Sequence, residues 1–382
     1  MSSSFSAITR AKGFFAAGIS CGIKKSNKKD LALILSVNKA LATGLFTANS
    51  VKAAPLLVTR DHLKNGRAQA ILINSGNANC FTGVGGLADA RKVVRLVAKC
   101  LTIKTADVLT ASTGIIAKPL PLNKIIPSIP SLCLKLRRGG GQDAAYAIQT
   151  TDTFLKQAAK SFKIGAKTVS IGAMAKGAGM VFPHLRGHAT TLCFITTDAD
   201  IQYRALKEAL GFAVEESFNA ITIDGCMSTN DMVLILANAA ANNRKIKLGS
   251  REFYKFRDIL SGICKELAKK VVADAEGASK FIEIRIKGAK TQIQAKQAAF
   301  AIANSALFKS ACFGENKNIG RIVQSVGAIG IKLEERKTKI SLSNLRSKNI
   351  IVGVDLGQGK FDSVVYTSDL TPAYVKINAG YN

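Results

Sequence analysis

Lys176-Gly-Ala-Gly-Met180, followed ten residues on by Thr190-Thr-Leu-Cys-Phe-Ile-Thr-Thr-Asp198, sets a glycine-rich turn ahead of a hydroxyl whose preceding neighbour is the small Ala189. Glycine enters backbone conformations closed to other residues, so the chain can bend sharply there and present a side chain. A threonine needs a base before it can act as a nucleophile, and with three histidines in 382 residues the chain carries no serine–histidine–acid motif. A newly exposed α-amino group supplies such a base, with an unperturbed pKa of about 7.7–8.0. The plain alternative makes Thr190 a β-branched strand residue beside Thr191.

Outward from this stretch the chain reads as globular. Hydrophobic residues make up 47% and charged residues 21%, and no apolar run approaches the roughly 18–20 residues of a membrane span. The first ten residues lack the apolar centre of a secretory signal. Eight cysteines lie far apart with no Cys-x-x-Cys, the pattern of reduced thiols in a cytoplasm. His184 and His188 are four apart, but Pro183 and Gly187 argue for a loop and no third ligand is evident, so no metal is expected; a threonine nucleophile with an amine base needs only hydroxyl, amine and hydrogen-bond donors, so no organic cofactor is expected either. The formal charge is +29; residues 1–189 contribute 27 Lys/Arg against six Asp and no Glu, or +21. Such a balance favours anionic partners, yet the cations are dispersed and aromatics are only 6%, so no specific nucleic-acid partner is expected.

Leu31-Ala-Leu-Ile-Leu-Ser36 and Ala70-Ile-Leu-Ile-Asn74 read as buried strands, and Gly86 to Ala98 has helical apolar spacing. Ala205 to Phe218 and Phe253 to Val272 read as further helices, while Phe281 to Ile286 alternates as a half-exposed strand. Strands mixed with helices give an α/β (α+β) class with layered sheets. Arg137-Arg-Gly-Gly-Gly-Gln142 reads as a flexible loop. The polar stretch Ala239 to Ser250 interrupts the apolar periodicity, which predicts a core domain over 1–244 and a C-terminal domain over 245–382.

Several motifs follow in order. Gly13-Phe-Phe-Ala-Ala-Gly18, Val51-Lys-Ala-Ala-Pro55, Asn74-Ser-Gly-Asn-Ala-Asn79, Ser112-Thr-Gly-Ile-Ile116 and Thr150-Thr-Asp-Thr153 occupy the first half. Asp224-Gly, Ser228-Thr-Asn-Asp231, Ala275-Glu-Gly-Ala-Ser-Lys280 and Tyr374-Val-Lys-Ile-Asn-Ala379 occupy the second. Each has an ordinary reading: Asn74 to Asn79 serves as a strand-to-helix turn whose side chains satisfy local backbone groups. Thr113 and Gly114 place a hydroxyl donor beside a glycine N–H, the pair of groups that stabilises a developing oxyanion. Together, nearly the whole chain resembles the ornithine acetyltransferase family.

The resemblance implies αββα-type layered sheets carrying a self-processed threonine nucleophile, with cleavage between Ala189 and Thr190. It assigns the oxyanion donors to Thr113 and Gly114, and substrate contacts to Thr153, Lys176, Thr190, Glu276 and Asn378. It implies ping-pong transfer of acetyl from N-acetylornithine to glutamate in arginine biosynthesis, with acetyl-CoA open as a second donor, and a heterotetramer of two N-terminal and two C-terminal chains. Between Pro183 and Ala189 lie five residues where the family has two, and the chain ends at Asn382, one residue short of the family's terminal hydroxyl residue. The rival readings are a threonine-nucleophile aminopeptidase or other acyltransferase on the same scaffold, and a catalytically inactive basic binding protein.

Overall fold

The computed structural model describes residues 6–182 and 191–380. Its strands are β1 (Phe14–Ile19), β2 (Leu31–Phe46), β3 (Arg67–Asn77), β4 (Val108–Ile115), β5 (Lys156–Ile164), β6 (Lys167–Lys176), β7 (Leu192–Thr197), β8 (Met232–Ala237), β9 (Phe281–Ala289), β10 (Lys339–Leu342), β11 (Asn349–Asp355) and β12 (Phe361–Ser368). The helices are α1 (Ala54–His62), α2 (Gly83–Leu101), α3 (Leu122–Leu134), α4 (Gly141–Ile148), α5 (Tyr203–Glu215), α6 (Arg251–Ala273), α7 (Gln292–Ala303), α8 (Ala306–Phe313), α9 (Gly320–Gly327) and α10 (Pro372–Ala379). Among the described residues, no helix is long and apolar enough to cross a membrane.

The chain divides into two compact units. The first holds Met1–Gly177, Pro183–Asn219 and Met227–Leu267; the second holds Ala178–Phe182, Ala220–Cys226 and Ala268–Asn382.

The first unit is organised by β2, whose 16 residues exceed the usual strand length. Its first half pairs with β1, its second half with β8, and β3 runs along both, with a slip in register between Leu35 and Ala40. The full order is β4-β3-β2-β8-β7-β6-β5, with β1 beside β2. Because successive strand side chains point to opposite faces, Leu31, Leu33, Ala70, Leu72 and Val108 meet Val93, Val94 and Val97 of α2 and Ile125, Ile129 and Leu132 of α3. The alternate set, Ala32, Ile34, Ile71, Ile73, Leu109 and Ala111, joins Met174, Leu192, Phe194, Met232 and Leu234 in a second core that also takes in α4. That core lies between the two halves of the sheet. On the far side, Phe256 of α6 packs on Phe162 of β5 with ring centroids 6.4 Å apart. The layers are therefore helix, sheet, sheet, helix, as expected of an α/β chain with αββα layering.

In the second unit, β10-β11-β9-β12 form a four-stranded sheet in which β9 and β11 are parallel. Ile282, Ile284, Ile286, Val352 and Val354 turn inward against Ala295, Ala298, Ala299 and Ile302 of α7. Side-chain caps start three of its helices: Thr291, Ser305 and Thr371 accept from the backbone N–H of Gln294, Phe308 and Tyr374.

The glycine run over 137–142 differs from its sequence reading. Arg138–Gly140 is a 3-10 turn and α4 begins at Gly141. A Cβ on Gly140 would overlap the Ala16 carbonyl oxygen, and one on Gly141 would overlap the Ser6 hydroxyl. These glycines permit close backbone approach, not mobility.

Gly140→Ala is therefore expected to cost about 1–3 kcal/mol, read as a lower urea midpoint with an unchanged slope. Gly139→Ala, whose Cβ would meet nothing nearer than Arg137 Nε at 3.9 Å, is expected to change stability by less than about 0.5 kcal/mol. Equal effects at the two positions would show that the run is a loop after all.

Candidate active site

Lys176 closes β6 opposite Leu192 of β7. Gly177 follows at φ +153°, a backbone state suited to glycine, and so supplies the bend expected of the Lys-Gly-Ala-Gly stretch. Lys176 is only 9% exposed. Its Nζ donates to Thr113 Oγ1 at 3.3 Å, which occupies a lone pair of the hydroxyl and leaves the single O–H of Thr113 free in direction to donate elsewhere.

Thr113 and Gly114 sit where β4 runs parallel to β3 and the register slips at Gly76 and Asn77. Gly114 has φ +131°, and a Cβ there would overlap the Gly76 carbonyl carbon. Amide side chains hold this loop. Asn77 Nδ2 donates to the carbonyls of Lys118 and Pro119 at 3.2 and 3.0 Å, and Asn79 Nδ2 to Gly86 O at 2.9 Å. From β8's approach, Asn230 Nδ2 donates to Ala78 O at 2.7 Å and Ser112 O at 2.8 Å. The turn reading of Asn74 to Asn79 and the oxyanion reading of Thr113 and Gly114 therefore coexist: the first rigidifies the second.

Asp152 is the residue that sequence reasoning left without a role. Its carboxylate accepts from Lys156 Nζ at 2.6 Å, the Gly177 N–H at 2.8 Å and the Thr150 N–H at 2.9 Å. The Lys156 and Asp152 side chains are 0% and 1% exposed. Burial pushes the Asp152 carboxyl up, but the charges of Lys176 and Lys156, with the Gly177 and Lys156 hydrogen bonds, hold it down at about 2. The signal was present in sequence as an acid and a base four apart flanking Thr153, next to a strand that starts on a lysine. Thr153 itself is exposed and follows Asp152 directly.

A second carboxyl behaves oppositely. Asp231 is buried just ahead of β8, and its Oδ2 finds no hydrogen-bond partner among the described residues; neither does the Oγ1 of Thr191. Burial pushes the Asp231 carboxyl well above the usual carboxylate range, with Lys176 and Ser228 opposing. Lys156 and Lys176 face Asp152 from two sides, and burial shifts Asp231 toward its protonated form, so the cluster favours a substrate carboxylate.

The second unit carries its own polar cluster. Asn378 of α10 donates through Nδ2 to Glu276 Oε2 at 2.9 Å and to Tyr374 O at 3.0 Å. The carboxylate of Glu276 lies directly over Gly179, where a Cβ would overlap it. An anion with one amide donor can take an ammonium group with its remaining acceptor capacity. The structure thus brings Thr113 to Lys176 and Glu276 to Asn378. Ala189 and Thr190, with His184 and His188, lie outside the described residues. His62 Nδ1 is hydrogen-bonded to Val108 O at 2.8 Å, a local structural contact.

Residues 15–346 match the model of the ArgJ family. The chain is similar to the arginine biosynthesis bifunctional protein ArgJ of Symbiobacterium thermophilum, 43% identical over 98% of each chain. It is also similar to the glutamate N-acetyltransferase of Methanocaldococcus jannaschii, 40% identical over 98% of each. Among solved structures, ornithine acetyltransferase complexed with ornithine from Mycobacterium tuberculosis is 36% identical, covering 47% of this chain and 96% of that chain, with a TM-score of 0.43.

Lys156→Met leaves the Asp152 carboxylate buried without its ion partner, and urea unfolding at pH 7 is expected to show a loss of about 3–5 kcal/mol. Lys64→Met, which breaks the exposed pair with Asp61, is expected to leave the urea midpoint essentially unchanged. Because the folded pKa of Asp152 is depressed, its stabilisation is present above the unfolded value near 3.9 and lost as pH falls toward 2. The stability gap between wild type and Asp152→Asn should accordingly narrow between about pH 4 and 2; a gap that stays constant would rule out the ion-pair assignment.

Proposed function

The chain belongs to the ArgJ family, and on that premise we propose that it transfers acetyl from N-acetylornithine to glutamate through an ester on Thr190. It is an acetyltransferase of arginine biosynthesis. The observation that carries the residue-level reading is the 3.3 Å contact between Lys176 Nζ and Thr113 Oγ1 beside Gly114: one cation and two donor groups where β6 ends.

The nucleophile is made before it is used. The Thr190 hydroxyl attacks the Ala189 carbonyl carbon, the peptide C–N bond breaks, and the acyl group passes from nitrogen to oxygen. Water then hydrolyses the ester, leaving chains 1–189 and 190–382. The freed α-amine takes the proton from the Thr190 hydroxyl as that oxygen attacks the acetyl carbonyl. Thr113 O–H and Gly114 N–H donate to the oxyanion, ornithine leaves with the proton, and the glutamate amine attacks the acetyl-threonine ester in the second half of the cycle.

Lys176 holds the substrate carboxylate, Glu276 with Asn378 holds the side-chain ammonium of ornithine, and Thr153 adds a polar contact at the rim. We infer that the two halves stay paired and assemble as a heterotetramer in the cytoplasm, and that acetyl-CoA is a second donor to be assayed. The full-length relative from Methanocaldococcus jannaschii bears the name glutamate N-acetyltransferase, which weighs against the aminopeptidase and inactive-binder readings.

Denatured intact mass of fresh protein beside Thr190→Ala tests the nucleophile: two fragments, one beginning at Thr190, are expected only in the former. A single chain of 40.4 kDa in both samples would refute self-cleavage. In the processed enzyme, Thr113→Val is expected to lower kcat about 10²–10³-fold with KM for N-acetylornithine nearly unchanged; loss in KM alone would assign Thr113 to ground-state binding.

A further inference from the structure

Asp224 collects four hydrogen bonds, more than any role assigned so far requires. Its Oδ2 accepts the Met180 N–H at 2.6 Å, and its Oδ1 accepts the N–H groups of Val181 and Cys226, each at 3.0 Å. The Tyr374 hydroxyl reaches Oδ2 at 3.5 Å. Burial, then the charge of Asp224, pushes the Tyr374 phenol up, so it stays protonated and donates.

These contacts close a circuit within the second unit. Val181 O accepts from the Ile223 N–H at 2.7 Å, zipping Ala178–Phe182 to the segment that carries Asp224. Ala178 O accepts the Glu276 N–H at 2.9 Å, and Gly179 lies bare beneath the Glu276 carboxylate. Glu276 receives Asn378, Asn378 reaches back to Tyr374 O, and Tyr374 returns to Asp224. Helix α10 buries no residue of its own, so its place depends on polar anchors: Thr371 Oγ1 to Gly277 O at 2.6 Å, and this circuit. Met180 is held at φ +53°, a left-handed state that a non-glycine residue keeps only when its surroundings insist.

We propose that Asp224 is a positioning residue for ammonium recognition: by clamping Met180 and Val181 on one side and Tyr374 on the other, it fixes Glu276 and Asn378 as a preformed pair. The proposal rests on the reading of Glu276 and Asn378 as the ammonium contacts and extends it to the group that orients them.

The test compares wild type, Asp224→Asn and Gly179→Ala in transfer from N-acetylornithine and from N-acetylnorvaline, the same donor with a methyl in place of the aminomethyl group. In Asp224→Asn, KM for N-acetylornithine is expected to rise about tenfold or more, with kcat within about threefold and the N-acetylnorvaline constants unchanged. Gly179→Ala, which displaces the Glu276 carboxylate from the other side of the circuit, is expected to give the same split. Amide hydrogen exchange at Met180 and Val181 provides an arm independent of activity, with at least about tenfold faster exchange expected in Asp224→Asn. Unchanged exchange, or equal losses for both donors, would overturn the positioning role. Faster exchange with an unchanged KM ratio in Asp224→Asn would overturn it as well, and if Gly179→Ala also left that ratio unmoved, the assignment of Glu276 to the ammonium would fall separately.

Discussion

A single buried carboxylate governs the geometry of the first unit's site. Asp152 is sealed from solvent, and a charge so placed persists only because Lys156 neutralises it and two backbone N–H groups donate to it. The three bonds join the start of β5, the turn after α4 and the exit from β6. Lys176 is therefore delivered to Thr113 by a backbone whose last residue is tied down, at Gly177 N, by the same oxygen that accepts Lys156. The electrostatics follow from the same burial. Asp152 is held ionised because two cations face it, while Asp231, equally removed from water, is driven toward its neutral form and does not cancel Lys176.

Sequence disclosed the elements whose apolar spacing is unambiguous. Leu31 to Ser36, Ala70 to Asn74, Gly86 to Ala98, Phe253 to Val272 and Phe281 to Ile286 fall on strands or helices of the expected kind, and the helix read over Ala205 to Phe218 is present but ends at Glu215, with Phe218 opening a separate 3-10 turn. What escaped is equally instructive. Helix α3 contains Pro127 and Pro130, residues that argue against a helix interior through their missing N–H, yet Ile125, Ile129 and Leu132 repay the lost bonds by packing on the sheet. The glycines at 140 and 141 advertise freedom and deliver close approach. Asp152 stood inside a motif already singled out, but a carboxylate's burial is a tertiary property, invisible until β5 and β6 pair. The site residues were read chiefly through resemblance; geometry then supplied the two pairings, Thr113 with Lys176 and Glu276 with Asn378.

The second unit solves a different problem. Its sheet and α7 have a dense apolar core, whereas α10 has none, and a helix of eight residues cannot sustain itself on backbone hydrogen bonds alone. Threonine capping at Thr371 and the ring of contacts through Asp224, Glu276, Asn378 and Tyr374 take the place of hydrophobic burial. Polar anchoring is directional where apolar packing is not, so it is suited to a helix that must present one amide to one carboxylate.

The same economy of acids explains how a chain of charge +29 folds at all. Residues 1–189 have only six acidic side chains, and five of them are committed to specific contacts. Asp30, fully buried, accepts the N–H groups of Cys21 and Lys24 at 2.7 and 3.0 Å. Asp107 pairs with Lys39 at 2.6 Å, Asp61 with Lys64 at 2.6 Å, Asp143 with both Lys29 and Arg137, and Asp152 with Lys156. Carboxylates are thus placed where a backbone donor or a particular cation needs them, and cations in excess of the acids also turn to backbone oxygens, as Lys24 does to Lys29 O and Lys124 to Gly22 O. Repulsion among dispersed, hydrated cations is weak beyond a Debye length of about 8 Å at physiological ionic strength, so the surface tolerates the excess. The interior, where one uncompensated charge costs several kcal/mol, does not, and there the balance is struck residue by residue around Asp152.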